Sequence, residues 1–244
     1  MINIFKSPKE TVKEFSKYLA KEINNSTENN ENFFIALSGG STPQLLFKKL
    51  NKKYKDKIDW SYVHIFWGDE RCVAAEDPES NYGMAKELLL SFIDIPKGNI
   101  HYINGEENPE EEAISYSEGM LDNLPIKNGL PCFDLCLLGL GDDGHTASIF
   151  PNQMELLNSN KICEVAIHPE TEQRRITITG DVINNSKNVS FLVTGEAKRK
   201  IVAEIIDQGK GYLNYPASYI KPSHGKLSWY MDEEAGDLIH REMF

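Results

Sequence analysis

The 244-residue chain predicts an α/β fold built on a mainly parallel sheet with helices on both faces. Two observations carry this. Short apolar, strand-like runs alternate with longer amphipathic runs, the order that yields βαβ units. Four polar, glycine-bearing motifs, "SGGST", "GDER", "GLGDDGH" and "TGEAK", also fall where such strands end, the edge at which open α/β sheets bind ligands. No internal repeat, low-complexity linker or clean boundary divides residues 1–244, so one domain is expected.

Taken in order, "INIF" is a short strand leading into a helix at Ser7. Ser7-Pro8-Lys9-Glu10 fits a capping box with proline at the first helical position. That helix is expected to reach about Ile23, with "NNSTENNEN" as a polar loop. "FFIALSGG" is a buried strand ending in glycines, and "TPQLLFKKL" starts a helix at Thr42 and Pro43. "YVHIFWGDE" is a strand, "NYGMAKELLLSFI" a helix and "NIHYINGE" a short strand. "NPEEEAISYSEGML" is a helix with acids in its first turn, where the dipole favours them. The strand "DLCLLGLG", then "CEVAIHP", "RRITITGDVI" and "NVSFLVTG", precede the helix "EAKRKIVAEII". "PASYI" and "KLSWYMD" finish the fold.

Composition narrows the function. The net charge of −11 argues against nucleic acid or an anionic membrane as partner, but leaves room for a small anion in a local basic pocket. No run approaches the ~20 apolar residues of a membrane helix, and "MINIFKSPKE" lacks the layout of a secretory signal. Cys72, Cys132, Cys136 and Cys163 form no C-x-x-C pair, so free thiols and a cytoplasmic location are expected. The six histidines are scattered without ligand spacing, so no metal is expected. No G-x-S-x-G elbow is present.

Gly39, Gly40, Ser41 and Thr42 sit between a strand and a helix start. Glycines admit close backbone approach, hydroxyls add donors and the helix end adds free amides. Together they suit an anion, most simply phosphate; an ordinary tight turn fits the same residues. Arg71 offers a clamp for phosphate or carboxylate. Asp69 could orient sugar hydroxyls or Arg71, and a solvated ion pair is the plainer alternative. Of Lys198, Arg199 and Lys200, periodicity does not say which points inward. Arg174 and Arg175 must face opposite ways along a strand.

"GLGDDGH" reads literally as the dinucleotide fingerprint G-x-G-x-x-G. Asp142 and Asp143 at its variable positions would repel a pyrophosphate, and Pro151 leaves no room for a long helix behind the glycines. The alternative is a general base: a histidine side chain can take and return a proton near neutral pH, which makes His145 the candidate and Asp143 the carboxylate to fix its tautomer. A histidine merely packed in a loop is the plain alternative.

Together, "ALSGGSTP", "WGDER…ESNYGMA", "LLGLGDDGHTASIFP", "VTGEAKR" and "YPASYIKPSHGKLSWYMDEEAG" resemble the 6-phosphogluconolactonases of the glucosamine-6-phosphate isomerase/6-phosphogluconolactonase family, over about residues 5–240. The resemblance implies a Rossmann-like α/β fold shared with glucosamine-6-phosphate deaminase. It implies metal-independent, cofactor-free hydrolysis of 6-phospho-D-glucono-1,5-lactone, an ester hydrolysis in the oxidative pentose phosphate pathway, by a monomer or small homo-oligomer. The family's base falls on His145 and its aspartate on Asp143. Its phosphate loop falls on Gly39, Gly40, Ser41 and Thr42, its D-E-R arginine on Arg71, its S-N-Y asparagine on Asn81, its T-G-x-x-K lysine on Lys198 and its strand arginine on Arg175. Family members often carry proline before that arginine, where this chain has Gln173 and Arg174. The sister deaminases carry an acid five positions after the histidine, where Phe150 stands here. A sugar-phosphate binding protein without catalysis is the third reading, against which His145 and Asp143 are intact.

Overall fold

Local signals explain where the chain becomes helical. In the structure, a computed structural model that describes residues 1–240, strand β1 (Ile2–Phe5) leads into helix α1 (Pro8–Glu28). Ser7 Oγ accepts the Glu10 amide at 3.4 Å and Pro8 begins the first turn. Val12, Phe15, Leu19 and Ile23, three or four apart, bury one side. The helix ends at Glu28 rather than near Ile23. Thr27 and Asn29 side chains donate to the carbonyls of Asn24 and Asn25, so part of the polar run satisfies the last turn instead of forming a loop.

Strands β2 (Phe33–Leu37), β3 (Val63–Trp67) and β4 (Asp69–Arg71) alternate with helices α2 (Ser41–Tyr54) and α3 (Asn81–Leu88). Helix α4 (Pro109–Asn123) and a small pair, β5 (Ile126–Lys127) and β6 (Leu130–Pro131), precede β7 (Leu135–Leu138), β8 (Cys163–Ile167) and β9 (Arg174–Ile178). The chain closes with α5 (Gly180–Asn184), β10 (Asn188–Val193), α6 (Arg199–Ile206) and β11 (Lys226–Asp232).

Six strands form a wholly parallel sheet in the order β1-β11-β10-β7-β2-β3. β2 and β7 are buried along their whole length, as a parallel sheet covered on both faces requires. Tyr230 of β11 meets Phe15 of α1, with ring centroids 5.0 Å apart. Its neighbour Trp229 points to the other face and shares an apolar groove with Ile205 of α6. The chain passes outward from β2 to β3, then returns across β2 to β7. Such a reversal opens a crevice beyond the carboxyl ends of the two strands. No helix among the described residues is long and apolar enough to cross a membrane.

"YVHIFWGDE" is not one strand. It leaves the parallel sheet at Gly68, whose amide donates to Leu37 O at 2.8 Å, and re-enters as β4 in an antiparallel sheet β4-β9-β8. The strands "CEVAIHP" and "RRITIT" belong to this second sheet, and one continuous apolar core runs beneath both sheets. "NIHYINGE" forms only an isolated bridge, Ile65 to Ile100. "PASYI" is a 3-10 turn, and α6 starts after a 3-10 turn at Glu196–Lys198.

The bridge at Ile100 brings His101 against the edge strand β3. His101 stacks on Phe66 at 4.1 Å, and its Nε2 lies 3.1 Å from His64 Nδ1. Burial, helped by the nearby His64, pushes the His101 pKa down to about 4; burial also lowers that of His64. The unfolded chain therefore binds protons here that the folded one refuses. Stability is full above the unfolded value of about 6.5 and is lost as pH falls from there toward about 4. The melting temperature of His64→Gln/His101→Gln should fall less steeply than that of the native protein across this window. Equal slopes would show that other groups set the acid sensitivity.

Candidate active site

The crevice is a cleft of about 310 Å³, within the size range of small-ligand sites. Its first wall is the turn from β2 into α2. Gly40 sits there at φ +101°, a conformation costly for any side chain. As the N-cap it offers no side-chain acceptor, and the first turn of α2 carries no acid. The leading amides, with the hydroxyls of Ser41 and Thr42, therefore line the cleft at the positive end of a 14-residue helix. Thr42 Oγ1 lies 2.9 Å from Thr194 Oγ1, tying this turn to the end of β10.

The second wall is the β4–β9 pair. Its register sets Arg71 directly opposite Arg175. Like charges in that position destabilise a sheet, and both residues line the cleft. Arg175 is only 8% exposed. Burial lowers its pKa and the charge of Arg71 lowers it further, while Asp69 and Glu79 act the other way. Arg71 donates from Nη1 to Glu79 O at 2.6 Å, and its buried Nε has no partner among the described residues. Two adjacent guanidinium groups, one with an unsatisfied donor, fit an anion of more than one negative charge.

Asp69 does not orient Arg71. Its Oδ2 accepts from Ser148 Oγ at 2.7 Å, and its carbonyl accepts from Asn81 Nδ2 at 2.9 Å. Arg174, on the opposite face, pairs with Glu110 away from the cleft, and Arg199 pairs with Glu196 at 2.8 Å. Lys198 is the inward cation of its run; it lines the cleft and meets Asp142 at 2.5 Å.

The third wall is the loop after β7. His145 Nδ1 lies 2.5 Å from Asp143 Oδ1, which also accepts the His145 amide at 3.1 Å. An ionised carboxylate only accepts, so Nδ1 carries a proton in either charge state, and in the neutral ring Nε2 is the nitrogen with the lone pair. Burial tends to raise the Asp143 pKa, but the hydrogen bonds and charge of His145 outweigh it and hold the group below its usual value. A Cβ on Gly141 would lie 2.1 Å from His145 Nδ1 and 2.6 Å from Asp143 Oδ1, so the dyad closes only over glycine. Ala147, also on the wall, sits at φ +48°, the strained backbone common at functional sites.

The cleft thus gathers Gly39, Gly40, Ser41, Thr42, Asp69, Arg71, Asn81, His145, Arg175 and Lys198, with Asp143 behind the imidazole. Sequence reading missed the groups that hold them. Glu70, 1% exposed, accepts the amides of Arg71, Asn81 and Tyr82, each at 2.8 Å. Burial raises its pKa despite these bonds. Asp232, fully buried, accepts the Gly195 amide at 3.0 Å and anchors the loop bearing Lys198. A signal for Asp232 existed in the acid ending an apolar strand; Glu70 had none to separate it from Asp69. Among the described residues, no three His, Cys, Asp or Glu side chains are grouped to hold a metal ion.

The model of glucosamine-6-phosphate isomerases/6-phosphogluconolactonase matches residues 6–229. A 6-phosphogluconolactonase of Haemophilus influenzae is 43% identical over 222 residues, 91% of this chain and 94% of that one. A crystal structure called devB protein superposes with a TM-score of 0.91 at 42% identity, covering 98% of this chain and 100% of the other. The 6-phosphogluconolactonase of Trypanosoma brucei gives 0.88 at 29% identity, covering 98% of each.

Proposed function

Since the chain belongs to the glucosamine-6-phosphate isomerase/6-phosphogluconolactonase family and is an enzyme of the 6-phosphogluconolactonase type, we propose that it hydrolyses 6-phospho-D-glucono-1,5-lactone with His145 as general base on water, without a metal. The observation that carries this reading is one cleft lined by both the His145 imidazole and the opposed Arg71 and Arg175. The phosphate sits against the arginines and the α2 turn. His145 Nε2 takes a proton from water, and the new hydroxide attacks the lactone carbonyl. The tetrahedral intermediate collapses by breaking the bond to the ring oxygen, which receives the proton back from Nε2. The product acid then ionises to 6-phosphogluconate. Asp143 keeps the imidazole in the right tautomer and stabilises its charged form. Lys198, Asp69 and Asn81 hold the sugar end, and the reaction is placed in the oxidative pentose phosphate pathway.

Phe150 supports the lactonase over the deaminase. It is fully buried against the His145 ring, 4.7 Å between centroids, and beneath the Arg175 guanidinium. Phe150 therefore offers no proton-exchanging group beside His145, where the resemblance gives the deaminases an acid.

The test is acid release from freshly made phospholactone, corrected for spontaneous hydrolysis. Strong acceleration is expected, much weaker with unphosphorylated gluconolactone and unchanged by EDTA. Loss of rate with EDTA, restored by a divalent ion, would overturn the metal-free step. Ammonia release from glucosamine 6-phosphate would favour the deaminase. Silence with both substrates, alongside a melting-temperature rise with 6-phosphogluconate, would leave a binding protein.

A further inference from the structure

Gln173 closes the turn into β9, two residues before Arg175, and its side chain is engaged at both ends. The connection between β8 and β9, residues 168–173, is a tight turn. The His168 amide donates to Gln173 O at 2.9 Å, and His168 Nδ1 accepts the amides of Glu170 and Thr171, each at 3.3 Å. Glu172 takes the left-handed conformation, φ +56°. The turn therefore delivers the Gln173 side chain in a fixed place beside the two arginines.

The carboxamide uses both its ends. Its Oε1 accepts from Arg175 Nε at 3.3 Å, and its Nε2 donates to Glu79 Oε2 at 2.9 Å. Glu79 in turn holds Arg71, whose Nη1 donates to the Glu79 carbonyl. One residue pair thus touches both guanidinium groups from outside the cleft. The Glu79 carboxylate works against the burial and the Arg71 charge that lower the Arg175 pKa, without cancelling them. Because its charge is engaged by the amide rather than by a guanidinium, both arginines keep donors for a ligand. An alanine at position 173 would have neither the acceptor nor the donor.

We infer that Gln173 and Glu79 form a clasp that positions Arg175 against Arg71 and so sets the affinity of the site for the phosphate end of its substrate. This rests on the reading that the arginines bind phosphate. Neither residue touches the reacting atoms; both act through the arginines.

The experiment measures KM and kcat for the phospholactone in Gln173→Ala, Glu79→Ala, Glu79→Gln and the double alanine variant. Losing the hydrogen bond to a charged group should raise KM about tenfold in each alanine variant, with kcat within about twofold of native. The double variant should be no worse than the poorer single one, since the two act as a unit. Glu79→Gln keeps an acceptor for the Gln173 amide and should restore most of the affinity. A merely structural role would lower the active fraction, and hence kcat, with KM unchanged; that result overturns the clasp. So would additive KM effects, or Glu79→Gln behaving like Glu79→Ala. If the native enzyme turned over unphosphorylated gluconolactone with equal KM, the phosphate reading itself would have failed. Native variant KM values beside strong native discrimination would sink the clasp alone.

Discussion

Replacing His145 with alanine is expected to lower kcat by about 10² to 10⁴-fold while KM stays near the native value. The split follows from where the side chain sits. Its Nδ1 is held by Asp143 and its ring packs on Phe150, so the imidazole is fixed, with Nε2 the nitrogen free to take a proton. The phosphate end is held by other walls of the cleft, made by the α2 turn and the arginine pair. Removing the base therefore touches the transition state and spares ground-state binding. Asp143→Asn should lose part of the same factor, because an amide can present its NH₂ to Nδ1 and stabilise the wrong tautomer. Since His145 holds Asp143 ionised below the usual carboxylate range, the native pair should survive mild acid. Steady-state kinetics on the phospholactone decide the matter: near-native turnover in His145→Ala would remove the residue from the chemistry.

Arg71→Ala should act the opposite way, raising KM by about 10- to 100-fold, the range for one hydrogen-bonded charge lost, with a smaller change in kcat. The same variant should melt no lower than the native protein without ligand. Arg71 faces Arg175 across the β4–β9 ladder, and its Nε is buried without a partner. Both features cost stability in the empty site and are relieved when the guanidinium goes, a trade of stability for function. Arg71→Lys should recover only part of the affinity, because an ammonium lacks the planar fork. Isothermal titration with 6-phosphogluconate, paired with thermal melts, checks both halves. An unchanged affinity would take Arg71 out of the anion site, and a large drop in melting temperature would mean the opposed charges are compensated within the unliganded fold.

Chemistry was legible where it is carried by short, contiguous stretches. Ser7 with Pro8 marked a helix start, the glycines of "SGGST" marked a turn at a strand end, and Asp143 stood two residues from His145 because the pair forms inside one loop. The alternation of strands and helices was enough for a parallel sheet. Reading ran out where two distant segments had to meet. Gly68 moves "DER" out of the parallel sheet, and only its pairing with residues 174–178 makes that visible. The polar tail of α1 reads as loop in the sequence, because its side chains satisfy the helix's own carbonyls, which composition does not reveal.

The sequence by itself determined the kind of site: an anion turn, a histidine with its carboxylate, and a reserve of cations. Tertiary structure alone decided which cations serve it. Strand alternation says that Arg174 and Arg175 face opposite ways, but not which face lies over the cleft; the register of β4 on β9 chose Arg175 and set it against Arg71. Likewise, the buried carboxylates of Glu70 and Asp232, and the Glu79–Gln173 clasp, act across separations of up to 94 residues. The physical reason is the same in each case: hydrogen bonds within one turn are fixed by local spacing, whereas those between turns depend on how the sheets pack.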